Sequence, residues 1–197
     1  NYRSLTGYYD NFTLNIITCV LIFFGGIGFL VIRELRIKHF HWKKLSMHSR
    51  VVISMSLFLI VSGTLLIKAT ENISWLGAFF LSFSTYPLGN FSSAGLLVVI
   101  ILMFIGASPG STGGGIKTST FFVLLQGIKS AATNKSEKAF HYAVPKNAFS
   151  KAAIITAIGA AIVLTGTYIM LVLQPELSFI DVFFEVTSAF STSGLST

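Results

Sequence analysis

The chain has 197 residues, of which 53% are hydrophobic and only 11% carry a charge. With a mean hydropathy of +0.76, this composition excludes an ordinary soluble domain and a disordered chain, and it indicates a membrane protein. The single cysteine, Cys19, excludes a disulfide framework or a paired-cysteine metal site built from this chain. The chain begins at Asn1 without an initiator Met and ends at Thr197 within a Gly/Ser/Thr cluster, so we expect an internal fragment.

Apolar segments of two lengths alternate along the sequence. A membrane-crossing helix needs roughly 20 apolar residues to cover about 30 Å of hydrocarbon. Three uncharged runs meet this requirement and are predicted to be spans: 12–32, 51–67 and 152–173. Four further runs are too short to cross: 73–83, 94–105, 119–128 and 179–190. The second and third of these are separated by GASPGSTGGGIKT, and together they are predicted to cross the membrane as one interrupted helix.

Charged residues are distributed unequally between the two sides that these segments define. Eleven basic residues lie in two loops, 33–50 and 129–151, against only Glu34 and Glu137, which is a net charge of +9. The segments on the other side carry a net charge of −3. Because loops rich in Lys and Arg are retained in the cytoplasm, both basic loops are predicted to be cytoplasmic in a multi-pass protein of the cell membrane. With Lys117 in the interrupted helix, these values give the overall charge of +7, which the topology of the chain in a lipid bilayer explains, so we expect no nucleic-acid partner.

The short runs 73–83 and 179–190 each follow the outer end of a predicted span. The interrupted helix must bring the chain from the outside to the inside, so the run 73–83 has to enter the membrane and return to the same side. Both runs are therefore predicted to be re-entrant half-helices. They can be overlaid without gaps, with Ser74-Trp75 on Ser178-Phe179, and each leads into a small-residue loop, STYPLGNFSS or SAFSTSGLST. Internal repeats of this kind are typical of transport proteins.

These two loops carry the residues predicted to bind an ion. Non-helical backbone at membrane depth is tolerated only where it is buried or lines a water-filled path. A ring of carbonyls can replace the hydration shell of an alkali cation, and glycine permits the backbone angles that turn carbonyls toward an axis. We assign this role to Gly89 and Gly194, with the hydroxyls of Thr85, Thr192 and Ser193 as further ligands or as support. The alternative is a buried turn whose glycines pack against neighbouring helices.

The segment that interrupts the broken helix is predicted to be a gating loop below these carbonyls. It is not a phosphate-binding P-loop, because Ile116 separates the last glycine from the lysine that such a motif requires next to it. Lys117 is the one charge far from both interfaces, and it either opposes cations until the loop moves or extends to the cytoplasm. The residues assigned to this loop are Gly106, Ser108, Pro109, Gly110, Gly113, Gly114, Gly115 and Lys117.

Several motifs identify a resemblance. The sequence IGASPGSTGGGIKTSTF (105–121) is very close to the interrupted helix of the Trk/Ktr/HKT superfamily of potassium transporters, in particular the KtrB/TrkH branch. FGGIGFLVIREL, KLSMHSRVV and FEVTSAFSTSGLST support the same resemblance, which covers essentially the whole chain. It implies potassium or sodium uptake through a pore of four repeats, each a helix, a pore loop and a second helix. It also implies that Gly89 and Gly194 are filter glycines and that 106–117 is the gating loop.

The resemblance further implies how this chain divides and what it assembles with. Residues 1–50 would hold the last helix of the second repeat, 51–129 the complete third repeat, and 130–197 the first helix and pore loop of the fourth. The implied partners are a second copy in a homodimer and a cytoplasmic ring of nucleotide-binding regulatory subunits, with no cofactor and no metal other than the transported cation. A membrane enzyme would need a His, Asp or Glu cluster in the bilayer, which these segments do not provide. The alternative function is a secondary transporter whose discontinuous helix binds a solute at mid-membrane.

Overall fold

The structure, a computed structural model, describes residues 11–82, 91–133, 138–139, 142–143 and 147–196. Its elements are α1 (Phe12–Ile27), α2 (Phe29–Ile37), a 3-10 turn (Trp42–Lys44), α3 (Met47–Thr70), α4 (Trp75–Leu81), α5 (Ser93–Phe104), α6 (Thr118–Thr133), β1 (Lys138–Ala139), β2 (Tyr142–Ala143), α7 (Ala148–Leu173) and α8 (Phe179–Ser191). The two strands form a minimal antiparallel pair between α6 and α7. Helices make up almost all of the described structure, as the sequence predicts.

Two of the described helices, α3 and α7, are each long and apolar enough to cross a membrane. They have 24 and 26 residues, which corresponds to about 36 and 39 Å at 1.5 Å per residue. Their apolar parts are the runs 51–67 and 152–173, so both predicted spans are helical throughout. The exposed face of α7 includes Ile155, Ile162 and Leu173, which is expected of a helix that meets lipid or further protein.

The first predicted span, 12–32, is not one continuous helix, so the expectation of a single helix was wrong, although α1 and α2 together have the length and composition of one span. α1 ends at Ile27, α2 begins at Phe29, and their axes differ by 95°. Between them Gly28 has φ +86° and ψ 147°, outside the helical region. An uncharged run shows that a segment prefers an apolar environment, but it does not show whether the backbone continues straight. The contacts that hold this bend come from residues 108–110.

The two half-helices, α4 and α8, begin at Trp75 and Phe179, the residues that the ungapped overlay aligns. Ser74 caps α4, since its hydroxyl accepts the N–H of Gly77 at 3.0 Å. With 7 and 13 residues, both helices are too short to cross a bilayer. Their inner faces share one apolar core with α3 and α5, whose buried members are Ile67, Ala78, Leu81, Leu96, Val99, Ile100, Met103 and Phe184.

The predicted interrupted helix is present as α5 and α6, of 12 and 16 residues. No helix forms across 105–117. Ile105 and Ile116 pair in an isolated parallel bridge, and the N–H of Ile116 donates to the carbonyl of Phe104 at 3.0 Å. The chain therefore leaves α5 and returns beside the same point before α6 begins. We call the excursion between these two points, residues 106–117, the intramembrane loop.

Candidate functional site

The intramembrane loop is bonded directly to the end of the half-helix α8. The N–H of Gly114 lies 3.0 Å from the carbonyl oxygen of Ser191 and 2.8 Å from Oγ1 of Thr192, and it donates to both. The N–H of Gly115 donates to the carbonyl of Phe190 at 3.3 Å. These contacts join residues almost 80 positions apart in the sequence, since Gly114 and Thr192 are separated by 78. The two segments that the sequence singled out for gating and for ion binding thus touch each other.

The contact at Gly114 leaves no room for a side chain. A Cβ added there would lie 2.8 Å from the carbonyl oxygen of Phe190 and 3.0 Å from the carbonyl carbon and oxygen of Ser191. Side-chain carbons rarely approach other atoms more closely than about 3.4 Å, and the atoms in the way are backbone atoms that cannot rotate aside. Glycine is therefore required at this position by close approach of two backbones.

The other side of the intramembrane loop holds the bend between α1 and α2. The N–H of Ser108 donates to the carbonyl of Gly26 at 3.0 Å, and its hydroxyl bonds to the carbonyls of Gly26 and Ile27. These carbonyls lie at the end of α1, where a helix leaves them without internal partners. Ser108 satisfies them in place of a continued helix, and it is fully buried.

Gly28 itself lies against the loop. A Cβ at Gly28 would meet the carbonyl oxygen of Pro109 at 2.8 Å, and its φ of +86° is one that only glycine adopts readily. The N–H of Phe29 then donates to the carbonyl of Gly110 at 3.4 Å. The intramembrane loop is thus packed between the bent helix on one side and the end of α8 on the other.

The pore loop, which we define as residues 192–196 after α8, turns sharply away from the helix. Thr192 has φ +55°, and its N–H still bonds back to the carbonyl of Ala189 at 3.2 Å. The N–H of Ser193 bonds to the carbonyl of Ser188 at 3.1 Å. No backbone N–H of the described residues donates to the carbonyls of Thr192, Ser193 or Gly194. With respect to the described residues, these carbonyls are therefore available to another partner.

Side chains behind the pore loop hold it in place. The hydroxyl of Ser193 donates to the sulfur of Met103 at 3.0 Å and lies 3.1 Å from the hydroxyl of Ser188. Ser188 in turn donates to the carbonyl of Leu195 at 2.6 Å. The hydroxyls of Thr192 and Ser193 are thus both bonded to protein, which corresponds to the supporting role allowed for them above.

Gly194 has φ +72°, and a Cβ built on it would meet no atom within 4 Å among the described residues. The backbone at this predicted filter position therefore borders open space. The residues predicted to bind the ion from the loop after α4, Thr85 and Gly89, lie outside the described residues. Their assignment to the filter stays a prediction.

A cavity of about 570 Å³ lies between the pore loop and the intramembrane loop. Its walls come from α1, α3, α4 and α5, from the start of α6 and the end of α8, and from both loops. Hydroxyls, a sulfur and backbone line it beside apolar side chains; representative residues are Ser56, Ser82, Met103, Thr112, Gly113 and Thr192.

Lys117 is half-buried at the end of the intramembrane loop. Its Nζ donates to the carbonyl of Gly113 at 2.5 Å. The ammonium group therefore closes a turn within the loop instead of extending away from it. Its electrostatic effect on a passing cation stays a prediction.

Comparison with known proteins agrees with this geometry. Residues 80–197 match the family model described as TrkH, cation transport protein. The chain belongs to the TrkH family. It is 34% identical to the Ktr system potassium uptake protein B of Vibrio alginolyticus, over 89% of this chain and 43% of that protein. It is 30% identical to the potassium/sodium uptake protein NtpJ of Enterococcus hirae, over 98% of this chain and 47% of that protein.

A solved structure shows the same fold as this family member. The crystal structure of the potassium transporter TrkH from Vibrio parahaemolyticus aligns with a TM-score of 0.72 at 17% identity, over 97% of this chain and 47% of that one. The chain spans about half the length of the curated relatives it matches. Membership of the TrkH family confirms the resemblance seen in the motifs and the membrane location, and the family is one of transporters instead of enzymes.

Some residues of the site were not singled out by sequence reasoning. The glycine-rich stretch GGIGF, at the end of the predicted span 12–32, contains Gly28 and is the sequence signal for the bend. Ser188 aligns with Ser84 in the repeat. This alignment indicates a shared position, but it does not predict that the hydroxyl of Ser188 bonds to the carbonyl of Leu195. Met103 carries no signal at all, because it is one apolar residue among others in α5.

Proposed function

We propose that this TrkH-family chain forms part of a pore for potassium uptake across the cell membrane, in which carbonyls of the pore loop bind the cation and the intramembrane loop gates it. The observation that supports this best is the pair of hydrogen bonds from Gly114 to Ser191 and Thr192. They attach the glycine-rich interruption to the residues that border the candidate ion site. A loop in that position can obstruct the path or release it.

The carbonyls of Thr192, Ser193 and Gly194 supply the chemistry. An alkali cation that enters a narrow path loses hydration water, and carbonyl oxygens replace that water. Because α8 ends just before these residues, its carbonyl end also places negative partial charge toward the cavity. A neutral solute would gain little from such a lining, so the arrangement favours a cation.

The intramembrane loop is suited to move. Three hydrogen bonds connect Gly114 and Gly115 to the end of α8, and each contributes a net stability of about 0.5–1.5 kcal/mol. A regulatory partner with a modest difference in affinity for the two loop positions could therefore change their populations severalfold. Lys117, bonded to Gly113, would carry its positive charge with the loop and add an electrostatic barrier in the closed position.

The remaining parts of the proposal concern the whole protein. The relatives named as potassium or potassium/sodium uptake proteins support potassium as the substrate, with sodium as a second one. We propose a homodimer, a cytoplasmic nucleotide-binding ring as regulator, and a cytoplasmic location for loops 33–50 and 129–151. In the same proposal residues 51–129 are one complete pore repeat, preceded by the end of another at 1–50 and followed by the start of a third at 130–197.

The test uses the intact protein in bacteria that lack their own potassium uptake systems. Growth at limiting potassium, together with rubidium uptake by the same cells, is expected on expression of the wild-type protein. Shortening 106–115 by three residues should raise uptake and weaken its dependence on the regulatory subunit. A shortened protein that reaches the membrane in normal amount, with wild-type uptake and regulation, would show that the loop is not the gate. Absence of potassium uptake by the wild-type protein would refute the function itself.

A further inference from the structure

The short helix α2 turns sharply away from α1. The axes of the two helices differ by 95°, so α2 does not continue the direction of α1. Glu34 of α2 accepts hydrogen bonds from the N–H of Ser46 at 2.8 Å and from its hydroxyl at 2.6 Å, and from the hydroxyl of Ser49. Ser46 caps α3 and Ser49 lies in its first turn, and α3 is long and apolar enough to cross a membrane. α2 is therefore fixed against the start of α3.

The surface around α2 combines apolar and basic side chains. Large apolar groups are exposed, including Phe29 at 64%, Phe40 at 72% and Trp42 at 44% of their surface. Basic side chains alternate with them: Arg33, Arg36, Lys38, Lys43 and Lys44. A helix of this composition, lying parallel to the membrane plane, places its aromatic groups at the headgroup boundary and its cations next to anionic lipid.

A pocket of about 510 Å³ opens between α2 and the start of α3. Arg33, Lys38 and His48 line it together with Glu34, Ser46 and Ser49. The carboxylate of Glu34 is engaged within the protein by Lys38 and the two serines, so it does not compete for the other cations. Nε2 of His48 is buried and has no hydrogen-bond partner among the described residues. A buried polar atom without a partner costs free energy, which a ligand in the pocket would restore if the imidazole turned toward it.

We propose that this pocket binds the phosphate headgroup of an anionic phospholipid, with Arg33 and His48 as the recognising residues. Two donors and a net positive surface suit a phosphate, and the exposed Phe29 and Trp42 suit the acyl chains attached to it. This apolar surround favours a lipid over an acidic protein partner, because a protein would have to cover aromatic groups that the bilayer already covers.

Occupancy of the pocket bears on the gate, and this part rests on the proposed function. α2 begins at Phe29, whose N–H bonds to Gly110 of the intramembrane loop, and Gly28 touches Pro109. A lipid that fixes α2 therefore fixes the surface on which the loop rests. We expect cation flux to change with the fraction of anionic lipid, through this contact.

Binding is tested on the intact protein in nanodiscs, without reference to transport. Quenching of Trp42 by brominated phosphatidylglycerol is compared with quenching by brominated phosphatidylcholine, and a Trp42→Phe variant defines the contribution of this tryptophan. The wild-type protein should prefer phosphatidylglycerol. Arg33→Gln and His48→Gln should each lower that preference about fivefold, since one basic contact to an anionic headgroup contributes about 1 kcal/mol. Arg36→Gln, which removes the same charge from the same helix outside the pocket, should keep it.

Other outcomes overturn the inference. Equal quenching by both lipids in the wild-type protein would refute a headgroup site, as would equal losses in Arg33→Gln and Arg36→Gln, which would indicate general surface charge. Displacement of the lipid by millimolar inorganic phosphate would point to a free anion as the ligand. If Trp42 is protected from quenching by the brominated lipids only when the purified regulatory subunit is added, the surface is a protein interface instead.

Rubidium flux in proteoliposomes separates the lipid site from the function. Flux should vary with the fraction of phosphatidylglycerol in the wild-type protein and in Arg36→Gln, and the variation should be lost in Arg33→Gln. Selective lipid binding without any cation flux would retain the site and refute the proposed function. If the lipid binds selectively but the rubidium flux does not depend on lipid composition, the coupling of the lipid site to the gate is refuted.

Discussion

Replacement of Gly114 by alanine tests the contact between the intramembrane loop and the end of α8. The added Cβ would lie 2.8 Å from the carbonyl oxygen of Phe190 and 3.0 Å from that of Ser191. Ordinary contact begins at 3.4 Å, so the two backbones must separate by about 0.5 Å. Neither backbone can rotate aside as a side chain would.

This displacement lengthens the hydrogen bonds that join the two segments. The bonds from Gly114 measure 3.0 Å to Ser191 and 2.8 Å to Thr192, and an added 0.5 Å takes them to the limit of a useful hydrogen bond. Loss of two bonds at about 0.5–1.5 kcal/mol each weakens the closed position by about 1–3 kcal/mol. The ratio of open to closed loops should therefore rise by a factor between about 5 and about 150.

Flux without the regulatory subunit is the measurement, since the closed position should dominate there. Rubidium uptake into proteoliposomes that contain Gly114→Ala should exceed the wild-type value by at least about fivefold. Gly166→Ala serves as the control. Its added Cβ would lie 3.0 Å from a methyl group of Val186, so it crowds a side chain between α7 and α8 and does not touch the intramembrane loop.

The reasoning would be refuted by a folded Gly114→Ala protein with wild-type basal flux and wild-type response to the regulator. Equal increases in Gly114→Ala and Gly166→Ala would also count against it, because they would show a general effect of loosened packing. A fall in flux would indicate that the contact supports the open path instead of the closed one.

Gly28→Ala should destabilise the protein by about 1–3 kcal/mol, because alanine does not readily adopt the φ of +86° at this position. An unchanged melting temperature in detergent would contradict this. Gly194→Ser adds a side chain at φ +72° in the predicted filter and should reduce the preference for potassium over sodium, which sodium competition against rubidium uptake would show. The cysteines introduced by Lys43→Cys and Lys138→Cys should not be labelled by an impermeant thiol reagent added to intact cells, because both loops are proposed to be cytoplasmic. Labelling of either cysteine would reverse the proposed orientation. Burial acts to raise the pKa of Glu34, but its hydrogen bonds lower it from 4.5 to about 2. The stability it provides should be complete above pH 4.5 and decline toward pH 2, a dependence that melting curves of Glu34→Gln should lack.

The helical segments of this chain could be predicted from local sequence because the bilayer imposes a local requirement. Backbone groups in hydrocarbon must bond within their own segment, so an uncharged run of sufficient length becomes a helix. α3 and α7 contain the predicted runs, and α4 and α8 begin at the residues that the repeat aligns. The interruption between α5 and α6 was also predictable, since so many glycines oppose a helix wherever they occur.

The family could be recognised from the same local features. The motif around Ser108 and Lys117 is specific enough to indicate a cation transporter, and the comparisons show the TrkH family. Charge asymmetry between the loops predicts an orientation, because retention of basic residues depends on each loop separately.

The tertiary structure alone decided how the loops meet. The hydroxyl of Ser108 donates to the carbonyl of Gly26, which lies 82 residues earlier in the chain. This bond stabilises the end of α1 and therefore the bend between α1 and α2. Gly114 approaches Thr192 across 78 residues, and Met103 bonds Ser193 across 90. Such contacts depend on the arrangement of several helices at once. The local sequence around each residue therefore does not predict these contacts. The reason is that the polar backbone groups at an interrupted helix can bond to any segment that the fold brings close.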